Sequence, residues 1–336
     1  MKATEGTTYR MLQTNLGRIT TRLEELRTQG ATGIKLNNPS DDPSAIRPVL
    51  TTRTQLMHTD RYLETMGVTS DKMETTDGHL NHVENILQRV KEITINSINS
   101  AMSQADLNTF ADEVANMKAE LLDAANAQVD GKYIFSGYSE TTPPFIENTA
   151  YTAAAYNPLD STTWPYYYAG DPNPTELEIT PGEYLEANLT GNDLFMGISN
   201  SVMQAGGPSP PAIYASDPGR VDIFSILTRT EEALLAGNID DPLGAGGGLQ
   251  AKLDELDIAA DQNRRLRSQL GNRASRVDSA MMHQEEVKID LQQILSRYED
   301  ADAIKTFNDI IQQETAFQAA LSITAKVSDI SILDYF

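Results

Sequence analysis

His79 and His82 stand three residues apart with Glu84 close behind, a spacing that could begin a metal site on one side of a helix. No third ligand follows at a suitable distance, and the pair equally suits a solvated helix start. Asp41 and Asp42 could work as paired carboxylates, but between Pro39-Ser40 and Pro43 they are explained by turn and cap chemistry. Gly244-Ala245-Gly246-Gly247-Gly248 has the glycine content of a phosphate loop. No strand signal precedes it and no Lys-Ser or Lys-Thr pair follows, so it reads as a flexible joint. Trp164 beside Tyr166, Tyr167 and Tyr168 could form a carbohydrate-binding or other surface patch. The competing reading is a set of half-buried sheet aromatics. There is no Gly-x-Ser-x-Gly sequence, and His58 and His283 lack a recognisable neighbourhood. The sequence therefore nominates no catalytic residue, no metal ligand set and no cofactor.

Bulk composition narrows the field in the same direction. A chain of 336 residues is long enough for two or three domains with real cores. A formal charge of -22 argues against a nucleic-acid partner, which would need clustered Lys and Arg. The charge is unevenly placed: residues 141–262 hold 18 acidic and three basic side chains, whereas residues 1–30 hold five basic and three acidic. The ends can associate, while the middle repels its like and stays hydrated. With no cysteine there is no disulfide or thiolate chemistry. Residues 1–10 lack the apolar run of a cleavable secretory signal. No stretch approaches the ~18 apolar residues of a membrane span, so no membrane partner is expected.

The elements that must position any site are mostly helices. Tyr9, Leu12, Leu16, Ile19, Leu23 and Leu26 recur at steps of three and four, the pattern of a helix with one narrow apolar seam. Burying six such side chains is worth ~9 to 18 kcal/mol. Fixing the backbone they span costs ~1 to 2 kcal/mol per residue, so the seam needs a partner. A matching seam, Phe307, Ile311, Phe317, Leu321, Val327 and Ile330, lies at the other end of the chain. These ends are expected to meet each other or copies of themselves.

Between the seams, Asn38-Pro39-Ser40-Asp41-Asp42-Pro43 reads as a tight turn, with Asp42 capping a second helix that begins at Pro43. Ile46, Val49, Leu50, Leu56, Leu63 and Met66 carry that helix, and Pro48 is expected to limit the regularity of its start. Residues 79–130 contain neither Gly nor Pro and predict one long helix, or two with a break near Gln104. The character then changes. Eleven of the 15 prolines fall in 141–220 and 11 of the 22 aromatics in 133–184, with strand-like alternation around Tyr133, Phe135, Ile146, Leu177 and Ile179. Helical spacing returns at Ile223–Leu235, capped by Asp222, and again from Leu249 to the end. The two helical halves must pack together, since narrow apolar stripes bury nothing separately.

Several of these segments resemble the bacterial flagellin superfamily. They are Leu23-Glu24-Glu25-Leu26 with Gly30 and Gly33, the turn Asn38 to Pro43, the run Asp130 to Gly137 with Thr142-Pro143-Pro144-Phe145, and Gln312 to Leu321 with the closing Ile332 to Phe336. The turn has the form found in the superfamily's hook–filament junction branch. The resemblance implies a mainly α fold with an inserted β-rich domain: a long antiparallel helical rod built from N- and C-terminal segments, with coiled-coil termini. It divides the chain into an axial segment 1–40 that is disordered in the lone subunit, rod halves 41–138 and 222–300, an outward β-rich domain 139–221, and an axial segment 301–336. It also implies a structural role at the junction, export through the flagellar type III channel, and an extracellular place on the flagellum. The implied partners are further copies of the chain in a ring, hook-associated protein 1, flagellin, and a cytoplasmic export chaperone on the C-terminal helix. Two other readings stay open: a filament-forming subunit, and an adhesive module acting through Trp164 to Tyr168.

Overall fold

The computed structural model describes residues 2–99, 102–205, 213–239 and 248–333. Its helices are α1 (Lys2–Thr32), α2 (Pro43–Asn99), α3 (Gln104–Ala125), α4 (Gly191–Phe195), α5 (Asn200–Ala205), α6 (Ile223–Ala236), α7 (Leu249–Glu299) and α8 (Ala303–Leu333). The strands are β1 (Gln128–Val129), β2 (Lys132–Tyr133), β3 (Phe145–Glu147), β4 (Tyr166–Tyr168), β5 (Glu176–Thr180) and β6 (Glu183–Glu186). The fold class is mainly α with a strand-bearing middle. Two compact units are formed, one from residues 1–60 with 285–336 and the other from residues 61–284.

Seven-residue periodicity builds the long helices. On α2 the residues Ala45, Thr52, Thr59, Met66, Met73, Leu80, Leu87 and Thr94 follow one another at steps of seven, and all are buried. On α7 the same is true of Leu249, Leu256, Asn263, Leu270, Val277, Gln284 and Leu291. Such a period keeps one seam facing a partner along the whole helix. In the second unit the two helices run antiparallel: Asn263 Nδ2 donates to Leu80 O (2.9 Å), and Arg267 grips Asp77 with Nε and Nη2 at 2.6 and 2.8 Å. Threonine fills seam positions because its hydroxyl is satisfied within its own helix. Thr69, Thr76 and Thr94 each donate to the carbonyl four residues back at 2.8 Å, leaving the methyl group to pack.

Two expectations for α2 are corrected. The helix continues through Pro48, its sixth residue, although the proline forgoes the bond its missing N–H would have made to Ser44 and its ring crowds that carbonyl. Leu50 is not a core position but is 58% exposed, since the seam runs through its neighbour Val49. The expected break near Gln104 falls between α2 and α3. There Ser103 and Asp106 form a reciprocal capping box, and Asp42 likewise caps α2 through the Ser44 amide (3.0 Å) and hydroxyl (2.6 Å).

The strands of the middle region form three separate antiparallel pairs rather than one sheet. In β3–β4, Phe145 pairs with Tyr168, Ile146 with Tyr167 and Glu147 with Tyr166. Alternation sends Tyr166 and Tyr168 inward and leaves Tyr167 exposed. Phe135, Phe145, Tyr166, Phe195 and Phe224 make an aromatic core with ring centroids 4.6 to 5.7 Å apart. Helix α6 enters that core directly after its cap, Asp222.

The Asp222 carboxylate is buried and accepts from the Ser225 amide (3.0 Å) and hydroxyl. Burial pushes it up to about 7, against the opposite pull of those hydrogen bonds. The unfolded carboxyl titrates near 3.8, so between these values the folded chain holds a proton that the unfolded chain has lost. Stability contributed by this group is therefore present at low pH and is lost as pH rises toward 7, by ~4 kcal/mol at most. Asp222→Asn keeps a good cap and removes the titration. Relative to the parent, the variant is expected to gain in urea unfolding between about pH 4.5 and about pH 7.5. A difference that stays flat with pH would refute the assignment.

Candidate assembly surface

The residues singled out for catalysis or ligands are placed elsewhere by the fold. Asp41 accepts from the amides of Asn37 (3.0 Å) and Asn38 (2.8 Å), and Asp42 is occupied as the α2 cap, its carboxyl lowered chiefly by the Ser44 hydroxyl. Asn38, Pro39, Ser40, Asp41, Asp42 and Pro43 thus form a turn with both carboxylates consumed by its own backbone. Burial lowers the His79 imidazole, helped by His82, while His82 Nε2 lies 3.9 Å from Glu120. Among the described residues no three His, Asp or Glu side chains gather as a metal set. Gly244 to Gly247 lie outside the described residues. Trp164 is buried, with its Nε1 donating to Asn157 O at 3.0 Å. The aromatic run is therefore core, and the exposed patch that an adhesive reading requires is reduced to Tyr167.

The terminal helices form the first unit's most exposed surface. α1 and α8 run antiparallel: Arg27 Nη2 meets Glu314 Oε1 at 2.7 Å, and a Cβ built at Gly30 would lie 3.3 Å from Ile310 Cδ1. Absence of a side chain at Gly30 sets how closely the helices approach. Gly33, in the left-handed region at φ +71°, ends α1. The chain then pairs with the α7–α8 connection: Ile34 bridges Asp300, Lys35 N donates to Glu299 O (2.7 Å), Ala301 N donates to Gly33 O (2.8 Å), and Lys35 Nζ caps α7 at Arg297 O (2.8 Å). The Glu299 carboxylate, buried beside this bridge, is paired with Arg53 at 2.7 Å.

The sequence-derived seams distribute as follows. On α1, Leu23 and Leu26 are buried and Leu12, Leu16 and Ile19 are partly buried. On α8 the pattern splits in two. Phe317 belongs with Thr306, Ile310, Gln313, Ala320 and Thr324, the less exposed row, whose members Thr306 and Ile310 sit against Gly30. Phe307 (68% exposed), Ile311 and Leu321 belong with Ile304 to a second row that stays open to solvent. The side chains of Tyr9, Val327 and Ile330 lie outside the described residues. Reading 307, 311, 317 and 321 as one seam merged two adjacent rows. Steps of three and four fit both, and only the six-residue gap from 311 to 317 signalled the change. Ile310 was missed for that reason.

Among the described residues no helix is long and apolar enough to cross a membrane. Residues 7–140 match the bacterial flagellin N-terminal helical region, and residues 253–336 match the bacterial flagellin C-terminal helical region. The chain is 23% identical over 333 residues to flagellar hook-associated protein 3 of Escherichia coli (strain K12), spanning 97% of each chain. It is 20% identical to flagellin D of Vibrio anguillarum over 88% of each. The solved structure of flagellar hook-associated protein 3 from Legionella pneumophila shares the fold, with a TM-score of 0.54 and 18% identity over 78% of this chain and 99% of that one. Both helical ends, the turn between α1 and α2 and the strand-bearing middle thus have one common explanation: the chain belongs to the bacterial flagellin family.

Proposed function

We propose that this chain is a structural component of the bacterial flagellum, an adaptor ring at the hook–filament junction between hook-associated protein 1 and flagellin. The observation that carries this reading is the match to hook-associated protein 3 along essentially the whole of both chains, including the middle region. Flagellin D is matched over a smaller share. The role is mechanical and needs no catalysis: each subunit offers the same apolar rows to its neighbours in a heterologous contact that follows helical symmetry. Segments 1–40 and 301–336 are the axial parts, 41–138 and 222–300 the helical halves, and 139–221 the outward domain. The terminal segments take their lasting order only among neighbours. Before export through the flagellar type III channel, a cytoplasmic chaperone covers the C-terminal helix, and the assembled protein is extracellular.

Supplying the chain to a non-motile strain that lacks its own hook-associated protein 3 tests the reading. Swimming is expected to return, with filaments attached to hooks in electron micrographs. Flagellin shed into the medium from bare hooks would overturn it. Long filaments grown from the purified, concentrated chain alone would favour the flagellin role instead. Amide exchange tests the terminal order: strong protection along Leu12 to Leu26 in a lone subunit would exclude late ordering.

A further inference from the structure

In the second unit, α2, the segment around β1 and β2 and the flanks of the β5–β6 hairpin line a partly open pocket of about 90 Å³, room for several waters or one small polyatomic ion. Lys72 of α2, Lys132 and Tyr133 of β2, Glu140 and Asn188 contribute its polar wall. Lys132 is ion-paired with Glu140, so these charges cancel and the Lys72 ammonium sets the charge of the pocket. Lys72 is half-buried, and no carboxylate lies within ion-pair distance of it among the described residues. The contrast with its surroundings is sharp in a chain of 48 acidic side chains. Arg229 in the same unit is engaged over the Tyr156 ring, and Arg61 and Arg265 stand in solvent. Two neutral donors share the wall. Asn188 Oδ1 accepts from the Thr175 amide at 2.7 Å, which fixes the side chain and leaves its NH₂ without an acceptor among the described residues. The Tyr133 hydroxyl is likewise unpartnered there.

A partly desolvated ammonium is stabilised by an anion beside it, and an ammonium with neutral N–H and O–H donors matches the acceptor oxygens of a carboxylate or phosphate. We propose that this pocket binds a small oxyanion, with Lys72 Nζ as the charge partner and Asn188 Nδ2 and Tyr133 Oη as further donors. The same chemistry can come from a free ion or from an acidic side chain of a second copy.

The test uses the full-length chain with nitrogen-labelled amides, titrated with inorganic phosphate and with acetate at constant ionic strength against chloride. Saturable shifts of the Asn188 side-chain amide and the Gly137 backbone amide are expected. They should weaken at least ~10-fold in Lys72→Gln and a few-fold in Tyr133→Phe, with the circular dichroism of both variants unchanged. Shifts that fade on dilution without added ion, and vanish in Lys72→Gln, identify the second copy as the source. Absence of any saturable shift, or an equal response in Lys72→Gln, overturns the proposal.

Discussion

Phe307→Asp is expected to leave the lone subunit as stable as the parent, within about 0.5 kcal/mol, and to abolish assembly. The side chain is 68% exposed in the single chain, in line on α8 with Ile304, Ile311 and Leu321. Covering such a phenylalanine contributes ~1.5 to 3 kcal/mol. Placing an unpaired carboxylate in the same contact adds a penalty of several kcal/mol. Together these weaken each subunit contact by ~10³-fold or more. Thermal melting of the purified variant measures the first half of the expectation, and loss of swimming in the complemented strain measures the second. Normal swimming would show that this row of α8 faces solvent in the flagellum too. Loss of melting temperature would show that it belongs to the subunit's own core.

Phe224→Ala should do the opposite, destabilising the middle of the chain while leaving α1 and α8 untouched. Its ring is fully buried, 4.6 Å from Tyr166, 5.1 Å from Phe145 and 5.7 Å from Phe195. Truncation removes the transfer term and opens a cavity that three neighbouring rings cannot collapse into, a loss of ~3 to 5 kcal/mol. Trp164 is the single tryptophan, is buried, and lies in the same unit, so its fluorescence reports this transition. The urea midpoint is expected to fall by ~1 to 3 M. A shift below about 0.3 M would mean that the aromatic core relaxes around the gap.

Helix positions, caps and the turn at Asn38 to Pro43 were legible in the sequence because each rests on local chemistry: a side-chain oxygen, a fixed φ, a missing N–H. Asp42 and Asp222 cap the helices their neighbours predicted. Seam identity was less legible. Reading apolar letters alone gave Leu50 to the core of α2 and passed over the buried Thr52, Thr59 and Thr94, because threonine counts as polar, although the Thr94 hydroxyl bonds backward along its own helix. Asn263 and Gln284 on α7 were hidden likewise, since their amide partners, Leu80 O and Ile179 O, come from distant segments. Period seven was visible in retrospect through these residues, whereas the arrangement of the middle region was not. Two of its strand pairs, β1–β2 and β5–β6, are local hairpins, whereas β3 and β4 are separated in sequence and meet through the packing around Phe145 and Phe224. The oxyanion pocket is of the same kind, since Lys72 and Asn188 are distant in sequence.

Arg27 and Glu314, which face one another across α1 and α8, are separated by 287 positions. During synthesis the first helix therefore leaves the ribosome long before its complement exists, and its leucines face water, or whatever binds them, until α8 has been made. At ~5 to 20 residues per second that interval is on the order of 15 to 60 seconds. The two tips can zip only once α8 itself has been made, so premature closure of α1 onto α8 is ruled out by chain order alone.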